Sequence, residues 1–396
     1  MLRFTTAGES HGPALTAILE GLPAGIPLLA EHVSHELHRR QQGYGRGRRM
    51  QIERDEVEFQ GGVRAGETTG APIAMRVINR DWKNWQDVMD PAPRDDDAAD
   101  GRRRALTRVR PGHADLTGLL KYDRSDARDI LERASARETT MRVACGAVAR
   151  QYLRAFGVSI GSHLVHLGGI DAAPPATWPT DLNAAADASP LRTLDAAAEA
   201  RMITAIDAAK AEGNTLGGIC EVVATGLPVG LGSHVSWDRK LDGRIGAAML
   251  SIPAVKGVEI GLGFDAARRH GADVHDEMHP DPSNVRSGGV RRATNRAGGL
   301  EGGITTGEPL VIRVAMKPIS TLMRPLATVD VATGDSAKAA AERSDVTAVP
   351  AMGVIAEAML ALVLAQAWQE KFGGDALAEV QRNVAGYLAQ VAERMA

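Results

Sequence analysis

Met352-Gly-Val-Ile-Ala-Glu-Ala-Met-Leu-Ala-Leu-Val-Leu-Ala-Gln-Ala-Trp368 reads as a helix that is apolar on nearly every face. A helix without a polar side must be covered all round, so other elements have to be layered about it. Working outward, alternating runs at Gln51–Phe59, Ile73–Ile78, Glu221–Thr225 and Leu310–Met316 predict strands with a buried face. Further helices are predicted over Ser135–Phe156, Ala198–Lys210 and Leu241–Ile252. Ser135 and Glu138 have capping-box spacing, and Gly213 ends the second of these helices. Strand groups alternate with long helices but lack a regular βαβ rhythm. The reading is α+β, with antiparallel sheets packed on a helical layer.

The chain has 396 residues, 44% of them hydrophobic, enough for a sizeable core. It is read as a single domain over residues 1–396, with a surface insertion at about 170–190 and a solvated loop at 87–104. A net charge of -3 disfavours nucleic acid and anionic membranes as partners. Arginine supplies 38 of the 46 cationic residues. Genome habit and a need for guanidinium forks to grip oxyanions both account for that excess. Cys145 and Cys220 are far apart and form no CxxC, so a reducing compartment is expected. The first residues do not have the form of a signal peptide, and Val354–Trp368 is too short for a membrane span. A cytoplasmic setting is therefore expected.

Six segments carry candidate chemistry. His11 follows Gly8 in a loop, and His113 follows Gly112 in a turn beside Arg108 and Arg110. Either imidazole can exchange a proton near neutral pH, and either can be an ordinary loop histidine. Asp115 can fix the tautomer of His113 or cap the next turn. His38-Arg-Arg40-Gln-Gln-Gly-Tyr-Gly-Arg46-Gly-Arg-Arg49 reads as a flexible cationic loop suited to an anionic small molecule. Arg133-Ala134-Ser135 is placed at a helix start, where N–H groups favour phosphate, or where Ser135 is only a cap. Gly302 lies in a glycine-rich span leading to Lys317-Pro318-Ile319-Ser320-Thr321, and Arg343-Ser-Asp345 closes the set. No metal is expected. His32, His35 and His38, and His270, His275 and His279, lack the order of a zinc site.

Taken in order, Thr6-Ala-Gly-Glu-Ser-His-Gly12, Arg110-Pro-Gly-His-Ala-Asp115, Arg137-Glu-Thr-Thr-Met-Arg142 and Ala254-Val-Lys-Gly-Val-Glu-Ile-Gly261 resemble the chorismate synthase family. Asn295-Arg-Ala-Gly-Gly299, Lys317–Thr321 and Arg343–Asp345 extend the resemblance over nearly the whole chain. It implies a β-α-β sandwich, antiparallel sheets around a central helical layer, assembled as a homotetramer. It also implies an anti-1,4-elimination of phosphate from 5-enolpyruvylshikimate 3-phosphate, giving chorismate for aromatic amino-acid biosynthesis. Reduced FMN is required without net redox change; NADPH would enter only as a source of reducing equivalents, and a separate flavin reductase could be a partner.

The resemblance makes His11 the acid at the leaving phosphate, His113 the stabiliser of anionic reduced flavin, and Asp345 the group that readies flavin N5. It places FMN against Arg133, Ala134, Ser135, Pro253, Ala254, Gly302, Lys317, Pro318, Ile319, Ser320, Thr321 and Arg343. Arg40 and Arg46 match positions assigned to NADP, and the reading prefers them as ligands of substrate phosphate or carboxylate. Ala134, Pro253 and Leu262 depart from residues frequent in the family; contacts made through the backbone would survive those changes.

Overall fold

The computed structural model describes residues 2–47, 54–93, 104–340 and 345–395. Arg343 and most of the 87–104 loop lie outside them. A first antiparallel sheet, in the order β1-β2-β4-β3, is built from β1 (Arg3–Ala7), β2 (Ala14–Glu20), β3 (Val57–Gly61) and β4 (Ile73–Ile78). Leu15, Ala17 and Leu19 on β2, with Ile73, Met75 and Val77 on β4, point inward. Thr16 and Ile18 between them are exposed, the alternation of a sheet with one wet face. The second sheet holds β5 (Ser159–Leu167), β6 (Ile170–Asp171), β7 (Gly218–Thr225), β8 (Val255–Ile260) and β9 (Leu310–Met316), in the order β8-β9-β7-β5-β6. All its pairings are antiparallel.

The helices are α1 (Ala30–Gln41), α2 (Asp115–Tyr122), α3 (Arg128–Ala134), α4 (Thr139–Arg154), α5 (Leu182–Asp187), α6 (Ala196–Ala211), α7 (Leu241–Leu250), α8 (Val349–Phe372) and α9 (Leu377–Met395). α1 and α4 contact the first sheet, α8 contacts the second, and α4 packs along α8. Gly146 on α4 makes that approach feasible: a Cβ there would lie 2.4 Å from Ala358 Cβ on α8. The α+β reading holds, and the all-apolar segment is a 24-residue helix, longer than the stretch read from sequence. By length and composition α8 could cross a membrane, so shortness is no argument against a span; 94% of its most apolar window is buried inside the protein.

Glu357 on α8 is fully buried, and three guanidiniums meet it. Arg39 from α1 lies at 2.8 Å, Arg150 from α4 at 2.5 Å, and Arg192 at 2.9 Å. Ser162 Oγ on β5 donates to the same carboxylate at 2.6 Å. Burial alone would raise the Glu357 carboxyl, but the arginines outweigh it and hold it below the ordinary 4.5. Burial draws Arg192 down to about 10, so it stays charged at neutral pH.

Three sequence expectations change here. Arg39 and Arg40 are not in a loop but in the last turn of α1, only 5% exposed each. Arg46 is in the loop after it, and Arg48 and Arg49 lie outside the described residues. The 170–190 stretch lies mostly on the surface but is also anchored in the fold. Leu182 and Ala186 are buried, Leu182 sits over Gly161 of β5, and Asp187 pairs with Arg39 and Arg192. The capping box also fails to form. Ser135 Oγ accepts from Arg137 N at 3.3 Å, at the head of a short 3-10 turn, but Glu138 turns away to Arg142 and Thr6.

Glu357→Ala should destabilise the protein by about 3–5 kcal/mol, since three buried guanidiniums lose the carboxylate they share and keep only Glu36 and Asp187 between them; urea unfolding at pH 7 measures this. The folded carboxyl is held below its unfolded value, so its stabilisation is present above about pH 4.5 and lost as pH falls further. Glu357→Gln should accordingly unfold with a shallower acid dependence than the wild type.

Candidate active site

The hairpin loop between β1 and β2 carries His11. It turns at Gly8, with φ +105°, where a Cβ would lie 2.5 Å from Ala14 O. The loop is docked on α3. Ser10 N donates to Glu132 O at 3.0 Å, and His11 N donates to Glu132 Oε2 at 2.9 Å. His11 Nδ1 lies 2.9 and 3.0 Å from the two carboxylate oxygens of Glu132. Trp85 stacks on the His11 ring, centroids 3.7 Å apart. The side chain of Glu132 is 2% exposed and that of His11 18%.

His113 repeats the arrangement. Its Nδ1 bonds Asp115 Oδ1, and the side chains are again 18% and 2% exposed. Arg110 binds Asp115 through Nε at 2.8 Å and Nη2 at 3.0 Å, and donates to Thr321 Oγ1 at 3.3 Å. Burial alone would raise the Asp115 carboxyl; hydrogen bonds from His113 and Arg110 outweigh it and hold it well below the carboxylate range. The ionised Asp115 carboxylate can only accept from His113 Nδ1, and Arg110 Nη2 also lies 3.1 Å from that nitrogen. Asp115 makes the contacts of both its readings: it bonds the His113 ring, and its Oδ2 accepts from Arg110 N at 3.0 Å in the turn before α2. Both carboxylates come from one helical hairpin, Asp115 from the first turn of α2 and Glu132 from α3. The two helices close on Gly118, where a Cβ would lie 2.4 Å from Ile130.

A chain of contacts joins the two histidines to the other sequence candidates. Arg133 donates to Gly8 O at 3.1 Å and Thr6 O at 2.9 Å, and Ser135 Oγ meets Ser10 Oγ at 3.2 Å. Glu138 links Thr6 to Arg142, whose Nη1 donates to Ser251 O at 3.1 Å, just past α7. Pro253 and Ala254 follow; Ala254 holds a left-handed φ of 66° and its carbonyl accepts from Lys317 N at 2.9 Å. Lys317 Nζ in turn reaches Gly112 O, beside His113. Thr215 Oγ1 donates to Ile319 O at 2.8 Å, and Leu216 N donates to Val346 O at 2.8 Å, which brings Asp345 to the Lys317–Thr321 side. Asp345 accepts from Gly47 N at 2.6 Å and pairs with Arg46 Nε at 3.1 Å.

Other candidates are placed differently from their sequence reading. Arg133 and Ala134 end α3 and do not begin a helix, so the dipole there does not favour a phosphate. Gly302 sits at the tip of the hairpin formed by Leu300–Glu301 and Ile304–Thr305, with His234 the side chain its Cβ would approach. That places it by the start of α7, whereas Ala254 follows the end, about 15 Å away along ten residues of helix. Arg40 is turned into the protein: Nε donates to Thr139 Oγ1 at 3.0 Å, Nη2 to Ala136 O at 3.1 Å, and Nη1 lies 3.7 Å from Asp55. The arginine-rich spelling of 38–49 concealed a helix end whose cations are structural. Glu132 and Trp85 escaped the sequence reading. Glu132 sits in a charged helical stretch, where a solvated ion pair is the ordinary reading, and its partner is 121 residues away.

The chain matches the chorismate synthase family profile over residues 2–369. It is 56% identical over 394 residues to the chorismate synthase of Geobacter sulfurreducens, covering 99% of both chains. Identity to the Thermus thermophilus chorismate synthase is 58% over 390 residues, covering 98% of this chain and 99% of that one. The chain belongs to the chorismate synthase family. A crystal structure of chorismate synthase, 43% identical, aligns with a TM-score of 0.79 over 99% of this chain and 98% of its own. Chorismate synthases are carbon–oxygen lyases, and the site carries the groups such a reaction asks for: two oriented imidazoles among guanidinium, ammonium and hydroxyl donors. Among the described residues no cluster of His, Cys, Asp and Glu could hold a metal ion.

Arg40→Met should lower thermal stability, by about 1–3 kcal/mol in denaturant unfolding, because Thr139 Oγ1 and Ala136 O lose a donor and Asp55 keeps only Arg137 as a buried cation. Substrate KM should stay within about threefold in the fraction that folds; a KM rise of a hundredfold at unchanged stability would return Arg40 to the binding site.

Proposed function

We propose that this chorismate synthase catalyses the anti-1,4-elimination of phosphate from 5-enolpyruvylshikimate 3-phosphate, in the presence of reduced FMN. The C3–O bond breaks, phosphate leaves, a proton is lost from C6, and a second ring double bond forms. The observation that carries the reading is the pair of imidazoles, each held through Nδ1 by a buried carboxylate, beside Arg110, Arg133 and Lys317.

His11 is the proton donor to the departing phosphate in this reading. Its ring is oriented by Glu132 and Trp85, and Nε2 is the nitrogen that serves the ligand. His113, oriented by Asp115, balances negative charge on the cofactor. Asp345, held between Gly47 N–H and Arg46, offers a carboxylate as proton acceptor. The cationic and hydroxyl donors fit a phosphorylated flavin, and the left-handed backbone at Ala254 keeps its carbonyl on Lys317 N. Arg133, Ala134, Ser135, Pro253, Ala254, Gly302, Lys317–Thr321 and Arg343 would hold it. Bound reduced FMN would supply an electron-rich ring that supports loss of the phosphate without net oxidation. Arg46, paired with Asp345, is the remaining loop arginine for substrate phosphate or NADP; Arg40 supports the fold. The reading extends to one domain over residues 1–396, a β-α-β sandwich, and a cytoplasmic homotetramer supplied with reduced flavin by NADPH or a separate reductase.

An anaerobic assay with 5-enolpyruvylshikimate 3-phosphate and reduced FMN tests this. Phosphate released in many-fold excess over flavin oxidised is expected; stoichiometric flavin oxidation would mean an oxidoreductase instead. His11→Ala and His113→Ala should each lower turnover by about 10²-fold or more, and near-normal rates would remove their assigned roles.

A further inference from the structure

We propose that Glu132 is a positioning residue that decides which nitrogen of His11 delivers a proton, by holding Nδ1–H and turning Nε2 to the ligand. The inference rests on the reading of His11 as proton donor given above. Glu132 is buried, and a buried carboxylate needs hydrogen-bond partners. Both of its oxygens are engaged by one residue: Oε2 accepts from His11 N at 2.9 Å, and both lie within 3.0 Å of His11 Nδ1. An ionised carboxylate can only accept, so Nδ1 carries a proton in the neutral ring as well as in the cation. The proton that is gained and lost is therefore the one on Nε2.

The same logic operates a second time in the molecule, at His113 with Asp115, from the adjoining helix of the same hairpin. Other charged groups around His11 are Glu9 on its own loop, Arg128 and Arg133 on α3, and Asp81, which accepts from Trp85 Nε1 at 2.9 Å. Arg128 lies 3.9 Å from Glu132 Oε1 and 5.8 Å from the Trp85 ring centroid. Trp85 fixes the plane of the imidazole, and Glu132 fixes its rotation about that plane's normal.

A purely structural Glu132 would dock the His11 loop through the backbone bonds alone. Glu132→Gln separates the two roles. Its amide oxygen can still accept from His11 N, but an NH₂ group in the place of Oε1, 2.9 Å from Nδ1, can only donate to that nitrogen and so favours a neutral ring with its proton on Nε2. The expected result is a fall in kcat of about 10²–10⁴-fold, the scale of a wrong-tautomer change in a catalytic triad, with KM within about threefold. Independently of turnover, ¹⁵N NMR of the free protein, with His11 assigned against His11→Ala, should show the Nδ1–H tautomer in the wild type and in Glu132→Asp. The Asp variant should also recover part of kcat.

An Nε2–H tautomer in the wild type or Glu132→Asp would overturn the proposal even if Glu132→Gln does not fold. So would wild-type kcat in Glu132→Gln. His11→Ala with a normal rate would instead bring down the reading of His11 as the acid, and the NMR result would still decide the role of Glu132.

Discussion

Glu357 is a carboxylate in the middle of a helix that water does not reach, and much of the architecture follows from how it is neutralised. Its partners come from α1, α4, β5 and the Asp187–Arg192 stretch, so one anion joins both sheets' helical supports. Such a cluster contributes less net stability than apolar packing of equal volume; what it adds is a penalty on any arrangement that leaves one member alone. Its neighbour Ala358 lies against Gly146, so the same turn of α8 sets the distance to α4 sterically and its register electrostatically. Cys145, next to that contact, and Cys220 are buried; burial pushes both thiols up, Cys220 to about 12, which removes them from reaction chemistry.

The active-site frame hangs from this helical layer. α4 begins at Thr139, after the short 3-10 turn that follows Ser135, and its N-cap Glu138 and Arg142 tie the β1–β2 loop to the end of α7. The α2–α3 hairpin stands on a small separate apolar cluster of Val109, Leu119 and Ala127, away from the main core. Two carboxylates on that hairpin orient two histidines on different loops, so a modest displacement of the hairpin would disturb both rings together. Helices thus hold the buried carboxylates, while the imidazoles on the loops stay partly exposed.

How much was legible in the chain varies with the range of the interaction concerned. Ile73–Ile78 and Leu310–Met316 were found at their exact ends, because a half-buried strand writes its pattern within six or seven residues. β5 was not predicted. Its burial is nearly continuous, Ile160 to Leu164, because α5 covers one face and α8 the other, so alternation is lost. The histidine loops and the Lys317–Thr321 segment were recognisable from local composition, and their order along the chain pointed to the family. Glu132 was not, since nothing within a few residues of it distinguishes an ion-paired surface acid from one buried under His11.

The sequence by itself determined the class of elements, the burial of the helix around Glu357, and membership of the chorismate synthase family. Those depend on periodicity and on short motifs, which are written in neighbouring residues. Only the tertiary structure decided which cations neutralise the interior. Arg39 and Arg40 adjoin the loop that carries Arg46, yet α1 ends between them and it, turning the first two inward. It also decided that His11 and Glu132, 121 positions apart, share a proton. A hydrogen bond between distant segments exists only once both are docked on the same frame, and no local spacing encodes it.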